Sequence, residues 1–294
     1  MEELGARPVP RRPVYPIVIP CRNGADTLAH QLDALLTQRH ASDIEVIVAD
    51  NGSTDDTAEL VRRYRDRDAR VHLVEAGLHP GINHARNIGV GASRGSVVLL
   101  CDADDVVQPG WLDAHARAFE AGADCTGGPL ARTLPDGTII GRSEAVSTVH
   151  DFHPWPPGAN CGFRRSVFEH IGGFDETLRG GGDETDFFWR AAEAGHLTTA
   201  APGALVEYRL RDDLGSVARQ FFGYGRGTVR LFLRHRARGM PRSIGWKLPI
   251  VILVAVAGLV TSGPRSARRR RSVERLAARA GRLTESLRSR TWYL

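Results

Sequence analysis

The feature that most constrains this chain is an alternation within its first hundred residues. Short, mostly apolar runs recur at Val14 to Pro20 (around Ile17-Val18-Ile19), Val46-Ile47-Val48-Ala49, Val71 to Val74 and Val97 to Leu100. A continuous apolar run bounded by turn residues reads as a strand buried on both faces, as in a parallel sheet. Helical patterns fill the intervals. Leu28, Leu32, Leu35 and Leu36 fall at i, i+4, i+7 and i+8, the stripe of an amphipathic helix. Ser53 or Asp55 can cap a helix that runs through Tyr64, and residues 82–92 read as another. The order is βαβαβαβ, which predicts an α/β fold with a doubly wound sheet. Ligands in such sheets bind beyond the carboxyl ends of the strands. Here those ends carry Pro20-Cys21, Asp50-Asn51 and Asp102-Ala103-Asp104-Asp105, so polar groups converge on one rim and two of the ends are acidic.

After Gly110 the alternation loosens. Trp111 to Glu120 is expected to be helical, Pro135-Asp136-Gly137 to turn a hairpin, Arg165 to His170 to form a short helix, and Gly180-Gly181-Gly182 to act as a flexible hinge before a helix from Asp183 to Ala194. Charge divides the chain further. Residues 1–210 hold 20 arginines against 30 acids, whereas residues 211–294 hold 18 arginines and one lysine against four acids, a surplus of 15 positive charges. The expected organisation is a loose tail (1–13) without the apolar core of a secretion signal, an α/β domain (14–210), and a basic helical extension (211–294) with an uncharged apolar segment at 248–263. The basic third points to an anionic surface as partner. It has few interleaved aromatics after residue 232 and no nucleic-acid motif, so nucleic acid is not expected. Cys21, Cys101, Cys125 and Cys161 are far apart, which argues against a zinc site or a disulfide framework and for a reducing cytoplasm.

Three acidic clusters can carry chemistry, and each has a plainer reading. Asp102-x-Asp104 leaves a buried strand, where carboxylates two positions apart can reach one Mg²⁺ or Mn²⁺ ion; a helix-capping cluster is the alternative. Asp50, in Asp50-Asn51-Gly52-Ser53, can bond a base or ribose, or make an ordinary Asx turn. Asp183, Glu184 and Asp186 can supply a general base, or serve a helix N-terminus with Asp186 and Arg190 as an i, i+4 pair.

Taken in order, Pro20-Cys21-x-Asn23, Glu45 to Asp55, Ala85-Arg86-Asn87-x-Gly89, Asp102-Ala103-Asp104-Asp105, Asn160 to Arg165, Gly172 to Glu176 and Asp183-Glu184-x-Asp186-Phe187-x-x-Arg190 resemble the inverting glycosyltransferases of family 2, with the GT-A fold, over about residues 14–210. The resemblance implies metal-dependent transfer of a sugar from a nucleotide-diphosphate sugar to a hydroxyl acceptor, a glycan or a lipid-linked molecule. By the same resemblance Pro20, Cys21 and Asn23 lie along the nucleotide, Asp50 binds the base with Asn51 beside it, and Arg86 approaches the ribose or diphosphate. Asp102 faces ribose and metal, and Asp104 holds the metal. The family's usual Glu-Asp order is reversed here: counting back from Arg190 puts Glu184 in the base slot, with Asp183 as its rival. Family members often carry a metal-joining His where this chain has Tyr208. Gln220-x-x-x-Tyr224-Gly225-Arg226-Gly227 resembles a segment after the catalytic domain of some bacterial members, in which Arg226 would close over the diphosphate; the alternative is a basic helix with a glycine kink.

Two other functions remain open at this stage. A nucleotidyltransferase of sugar phosphates would want a Gly-rich phosphate loop near the first strand, for which Cys21-Arg22-Asn23-Gly24 is a poor substitute. A catalytically silent membrane scaffold would not need the carboxylates. The apolar segment, about 24 Å long as a helix, is short of a ~30 Å hydrocarbon core and has basic flanks on both sides. It is expected to hold the chain peripherally on the inner face of the cytoplasmic membrane; a helix buried against the catalytic domain is the alternative.

Overall fold

The computed structural model describes residues 14–39, 43–148, 151–243, 245, 248–263 and 266–293. The expected tail (1–13) and the basic flanking residues Lys247 and Arg265 lie outside the described residues. The first half follows the predicted alternation: β1 (Val14–Cys21), α1 (Leu28–Leu36), β2 (Asp43–Asp50), α2 (Thr57–Arg67), β3 (Val71–Glu75), α3 (Ile82–Ala92) and β4 (Val97–Cys101). β1 pairs in parallel with β2 and β4, and β2 with β3. The resulting order 3-2-1-4 reverses between β1 and β4, so a crevice opens where Cys21 and Asp102 leave the sheet.

The apolar runs are continuous because both faces of these strands are covered. Ile17, Ile19, Val46, Val48 and Leu99 pack on one face with Leu28, Leu32, Leu35 and Trp111. Val18, Ile47, Val98 and Leu100 point the other way, onto Val90, Phe163, Phe174 and Phe187. All four cysteines are buried free thiols within these layers.

Beyond β4 come β5 (Val106–Val107), α4 (Trp111–Glu120), β6 (Cys125–Gly127), β7 (Leu130–Thr133), β8 (Ile139–Arg142), β9 (Asn160–Arg164), α5 (Arg165–Ile171), α6 (Asp183–Glu193), β10 (Thr198–Ala200) and β11 (Val206–Arg209). β7 and β8 form the expected hairpin. The main sheet has seven strands and is parallel at its centre, but β9 lies antiparallel between β4 and β6. Asn160, at its start, holds this join together. Its Oδ1 accepts from Trp111 and His115, and its Nδ2 donates to the carbonyls of Pro129 and Ala204. A second sheet, β5-β11-β7-β8, flanks the crevice.

The C-terminal extension is three helices: α7 (Leu214–His235), α8 (Leu248–Thr261) and α9 (Ala267–Arg288). α7 and α9 touch backbone to backbone. A Cβ on Gly225 would come within 2.0 Å of the Ala278 carbonyl oxygen, and one on Gly281 within 2.1 Å of that of Phe222. Gly225 therefore marks a close crossing rather than the kink its sequence context suggested. The Gly180-Gly181-Gly182 run is likewise pinned instead of free: all three residues have positive φ, and a Cβ on Gly181 would sit 2.9 Å from the Cα of Tyr224.

Candidate active site

The rim at the carboxyl ends of β1, β2 and β4 is built by loops that hold each other. Asn23 has φ 55°, and its Oδ1 accepts from the Thr54 amide at 2.8 Å while its own amide donates to Ser53 Oγ. Asp50 accepts from the amide and hydroxyl of Ser53, a closed Asx turn. Asn51 donates to the carbonyls of Ala76 and His79 and accepts from the amide of Gly81, fastening the segment before α3. Asn23 and Asn51, expected along the nucleotide, thus have side chains engaged in the scaffold. Cys21 is buried beneath Gly24, and burial, with Asp50, Asp55 and Asp104 nearby, pushes its thiol up to about 12. It is a neutral packing group.

Two adjoining cavities open from this rim. The first, about 450 Å³, is lined by Pro20, Asn23, Asp104, Arg209, Arg211 and Arg219, among others. The second, about 480 Å³, runs past Arg86, Glu184, Leu130, Trp155 and Leu231 to Arg270 and Glu274 of α9. Asp102, Asp183, Tyr208, Gln220 and Tyr224 line both and so form the partition. Gln220 Nε2 donates to the hydroxyls of Tyr208 (3.2 Å) and Tyr224 (2.9 Å), locking β11 to α7 across it.

Carboxylates crowd that partition. Ligand oxygens of Asp102, Asp104 and Asp105 lie within 4.8 Å of one another. Asp102 Oδ1 and Asp105 Oδ2 are buried and have no hydrogen-bond partner among the described residues. Hard oxygens facing one another in this way fit a divalent cation such as Mg²⁺ or Mn²⁺. Asp105 was not singled out by the sequence; it is 1% exposed, and its Oδ1 accepts from the Arg209 amide. The turn itself is held by buried Gln31, which donates to the Asp102 carbonyl and accepts from the Val107 amide. Burial raises Asp102 to about 6 against the opposing pull of Arg86, with Asp104 and Asp183 adding to the rise.

Glu184 and Asp183 start α6 on the other side of the crevice. Asp183 Oδ1 accepts from the Gly181 amide at 3.0 Å. Glu184 is pushed up to about 7, by burial first, then by Asp183, with Arg86 opposing. Arg86 is 2% exposed, so its place is beneath these carboxylates. Burial works against its charge, but Asp102, Glu184 and Asp183 outweigh that and hold it protonated. Gly158 permits the approach, since a Cβ there would meet Arg86 Nη2 at 2.7 Å and Glu184 Cγ at 3.2 Å.

Arg226 is not brought to the rim. Its Nε donates to Glu285 of α9 at 2.7 Å, where Arg230 also pairs. The reason is register: Arg226 follows the Gly225 crossing and faces α9, whereas Arg219, two turns earlier, lines the first cavity. Arg209, Arg211 and Arg219 make no ion pair among the described residues. Asp186 is also structural, held by Arg190 (2.7 Å), Arg234 (2.8 Å) and His235 (3.0 Å).

A parallel half-sheet with a crevice at its reversal point, an acidic turn after β4 and acids at the start of α6 are the features of a GT-A-type fold. The chain belongs to glycosyl transferase family 2, whose family model matches residues 17–175. It is a glycosyltransferase. Glycosyltransferase AglE of Haloferax volcanii is 27% identical over 232 residues, 76% of each chain. The pre-mycofactocin glycosyltransferase of Mycobacterium tuberculosis is 30% identical over 82% of this chain, which spans only 52% of that relative. In structure the chain is similar to the mannosyltransferase PcManGT of Pyrobaculum calidifontis in complex with GDP-Man and Mn²⁺ (TM-score 0.67, 21% identity, 93% of this chain and 87% of that one). It is also similar to Staphylococcus aureus TarS with UDP-GlcNAc (TM-score 0.55, 16% identity, 95% and 93%).

Proposed function

We propose that this glycosyltransferase moves a sugar from a nucleotide-diphosphate sugar to a hydroxyl acceptor with inversion at the anomeric carbon. The first cavity takes the donor and the second the acceptor. The observation that carries the reading is Glu184: a half-buried carboxylate lining the second cavity, raised to about 7, beside Asp102, whose buried Oδ1 has no hydrogen-bond partner among the described residues. A base poised near neutral pH is what proton removal from a hydroxyl needs. As the acceptor oxygen bonds to the anomeric carbon, the bond to the diphosphate breaks on the opposite face and the hydroxyl proton passes to Glu184. Glu184 is preferred over Asp183 because Asp183 already accepts from the Gly181 amide.

Asp102 and Asp104, joined by Asp105, would hold a Mg²⁺ or Mn²⁺ ion, which when bound offsets the charge that builds on the leaving diphosphate. PcManGT, bound to GDP-Man and Mn²⁺, supports a cation at such a site. Pro20 and Asp50 face the nucleotide. Arg219, with Arg209 and Arg211, takes the diphosphate role expected of Arg226. Membership of family 2 removes the support for a nucleotidyltransferase or a silent scaffold. We extend the proposal to place: the enzyme works peripherally on the inner face of the cytoplasmic membrane, on a lipid-linked or cell-envelope glycan. The succinoglycan biosynthesis protein ExoA of Rhizobium meliloti, 26% identical over 75% of this chain, supports an envelope role.

The test is a pair of isosteric variants assayed for transfer and for donor binding. Glu184→Gln should lose about 10²–10⁴ in kcat while the thermal shift given by nucleoside diphosphates with Mn²⁺ survives. If Asp183→Asn abolishes transfer and Glu184→Gln does not, the base is Asp183. If neither matters, these acids serve only the helix terminus.

A further inference from the structure

α8 is uncharged and faces outward. Ile250, Leu253, Val254 and Val260 are 62%, 70%, 48% and 80% exposed. Positions 250, 253, 254, 257 and 260 recur at helical spacing, so these side chains form one stripe. The opposite side carries Ala255 and Gly258, which are buried on α9; a Cβ on Gly258 would stand 2.2 Å from Ser272 Oγ. A contiguous exposed patch of large aliphatics marks an interaction surface.

The charge beside it says which kind. α9 displays Arg268, Arg271 and Arg275 at i, i+3 and i+7, all exposed and without an ion pair among the described residues. They bracket Ser272, the point where α8 sits. Arginines facing inward behave differently: Arg270 pairs with Glu274, and Arg226 and Arg230 with Glu285. An apolar stripe bordered by free cations complements an anionic lipid surface, whereas two copies of the chain meeting there would oppose like charges. At 14 residues α8 is about 21 Å long against a ~30 Å hydrocarbon core, and no described helix is long and apolar enough to cross a membrane.

We propose that α8 lies in the plane of an anionic bilayer surface, its stripe of Ile250, Leu253, Val254 and Val260 in the outer acyl layer and Arg268, Arg271 and Arg275 on the headgroups. This deepens the peripheral reading above and rests on it. It also ties the surface to the acceptor cavity, because α9 is a wall of both: Arg270 and Glu274 line the cavity while Ser272 between them carries α8. An acceptor with an apolar portion would then reach Glu184 from the lipid side.

The full chain is sedimented with phosphatidylcholine vesicles and with vesicles that also contain phosphatidylglycerol. Wild type should bind the anionic vesicles, less so as salt rises. Leu253→Glu with Val260→Glu should abolish that binding. Arg268→Gln with Arg271→Gln and Arg275→Gln should weaken binding to the anionic vesicles about a hundredfold, at about 1 kcal/mol per arginine. All changed positions are exposed, and an unaltered thermal shift by nucleoside diphosphate controls for folding. If wild type binds and both variants bind equally well, α8 is not the docking surface, although the peripheral reading stands. If wild type fails to bind anionic vesicles, both fall. A wild-type dimer in sedimentation velocity that Leu253→Glu dissolves, with no vesicle binding, would make a second copy the occupant and overturn the proposal.

Discussion

Two groups of buried carboxylates sit on opposite sides of α6. At the rim, buried Asp105 and half-buried Asp102 and Glu184 stand among acids with Arg86 as the cation between them, and loss of solvent raises all three. Behind the helix, Asp186 is fully buried too, yet its carboxyl is held below the usual range. Burial pushes it up, and His235, Arg190 and Arg234 together outweigh that. Glu285 repeats the pattern between Arg226 and Arg230, which overcome its burial. Glu184 and Asp186 are two positions apart, about 200° around the helix, so one element feeds both environments. The difference lies in how many cations each acid meets. A site that buries acids without matching cations has room for a metal ion or a transferable proton; a site that matches them has spent that capacity on holding helices together.

The contrast can be broken at either end. The largest effect belongs to the matched side. Asp186→Asn takes away the carboxylate shared by Arg190, Arg234 and His235, leaving them only the Ile171 and Gly173 carbonyls, Asp175 and Glu193, and should lower the stability to unfolding by about 3–5 kcal/mol, read by denaturant titration, while kcat of the folded enzyme stays within about twofold. A comparable loss of kcat with stability intact would mean that α6 is not divided in this way. On the unmatched side, Asp104→Asn should cost about 10²–10³ in transfer rate and leave the melting temperature unchanged, because Asp104 is exposed at the rim. Near wild-type rates in Asp104→Asn and Asp102→Asn, together with indifference to EDTA, would remove the metal from the account.

The smallest effects separate two arginines of one helix. Arg219→Gln should raise the donor KM by about tenfold or more, the loss of a charge-assisted hydrogen bond. Arg226→Gln should leave it unaltered and cost at most about 1 kcal/mol of stability, since Arg226 is partly exposed and Arg230 still faces Glu285. The reverse result would return Arg226 to the diphosphate.

Much of this arrangement was legible in the sequence. The β1 to β4 alternation and the rim acids followed from runs and spacings a few residues long, because strand burial and helix amphipathicity are local patterns. What escaped depends on contacts between distant positions. The partner of Arg226 is 59 residues away, and nothing near Arg226 distinguishes it from Arg219. The family resemblance puts Asn23 along the nucleotide and Asn51 beside the base, and says nothing of the loop bonds that both side chains also make. The antiparallel insertion of β9 depends on Asn160 meeting Trp111, His115 and two carbonyls at once, which no spacing reveals. Asp105 looked like a spare acid in a capping cluster until its burial set it beside Asp102. The hairpin and the apolar helix were visible as turn and composition, whereas the face α8 presents was fixed only by Gly258 meeting Ser272.

The central claim is that Glu184 takes the acceptor proton, and the pH dependence of kcat tests it most directly. A base raised to about 7 holds its proton below that pH and cannot accept another, so kcat should rise with pH through about 7 and level off above it. In Glu184→Gln the residual rate should lose this inflection, while Asp186→Asn keeps it. An inflection near 7 that persists unchanged in Glu184→Gln would contradict the assignment and move the base elsewhere on the partition.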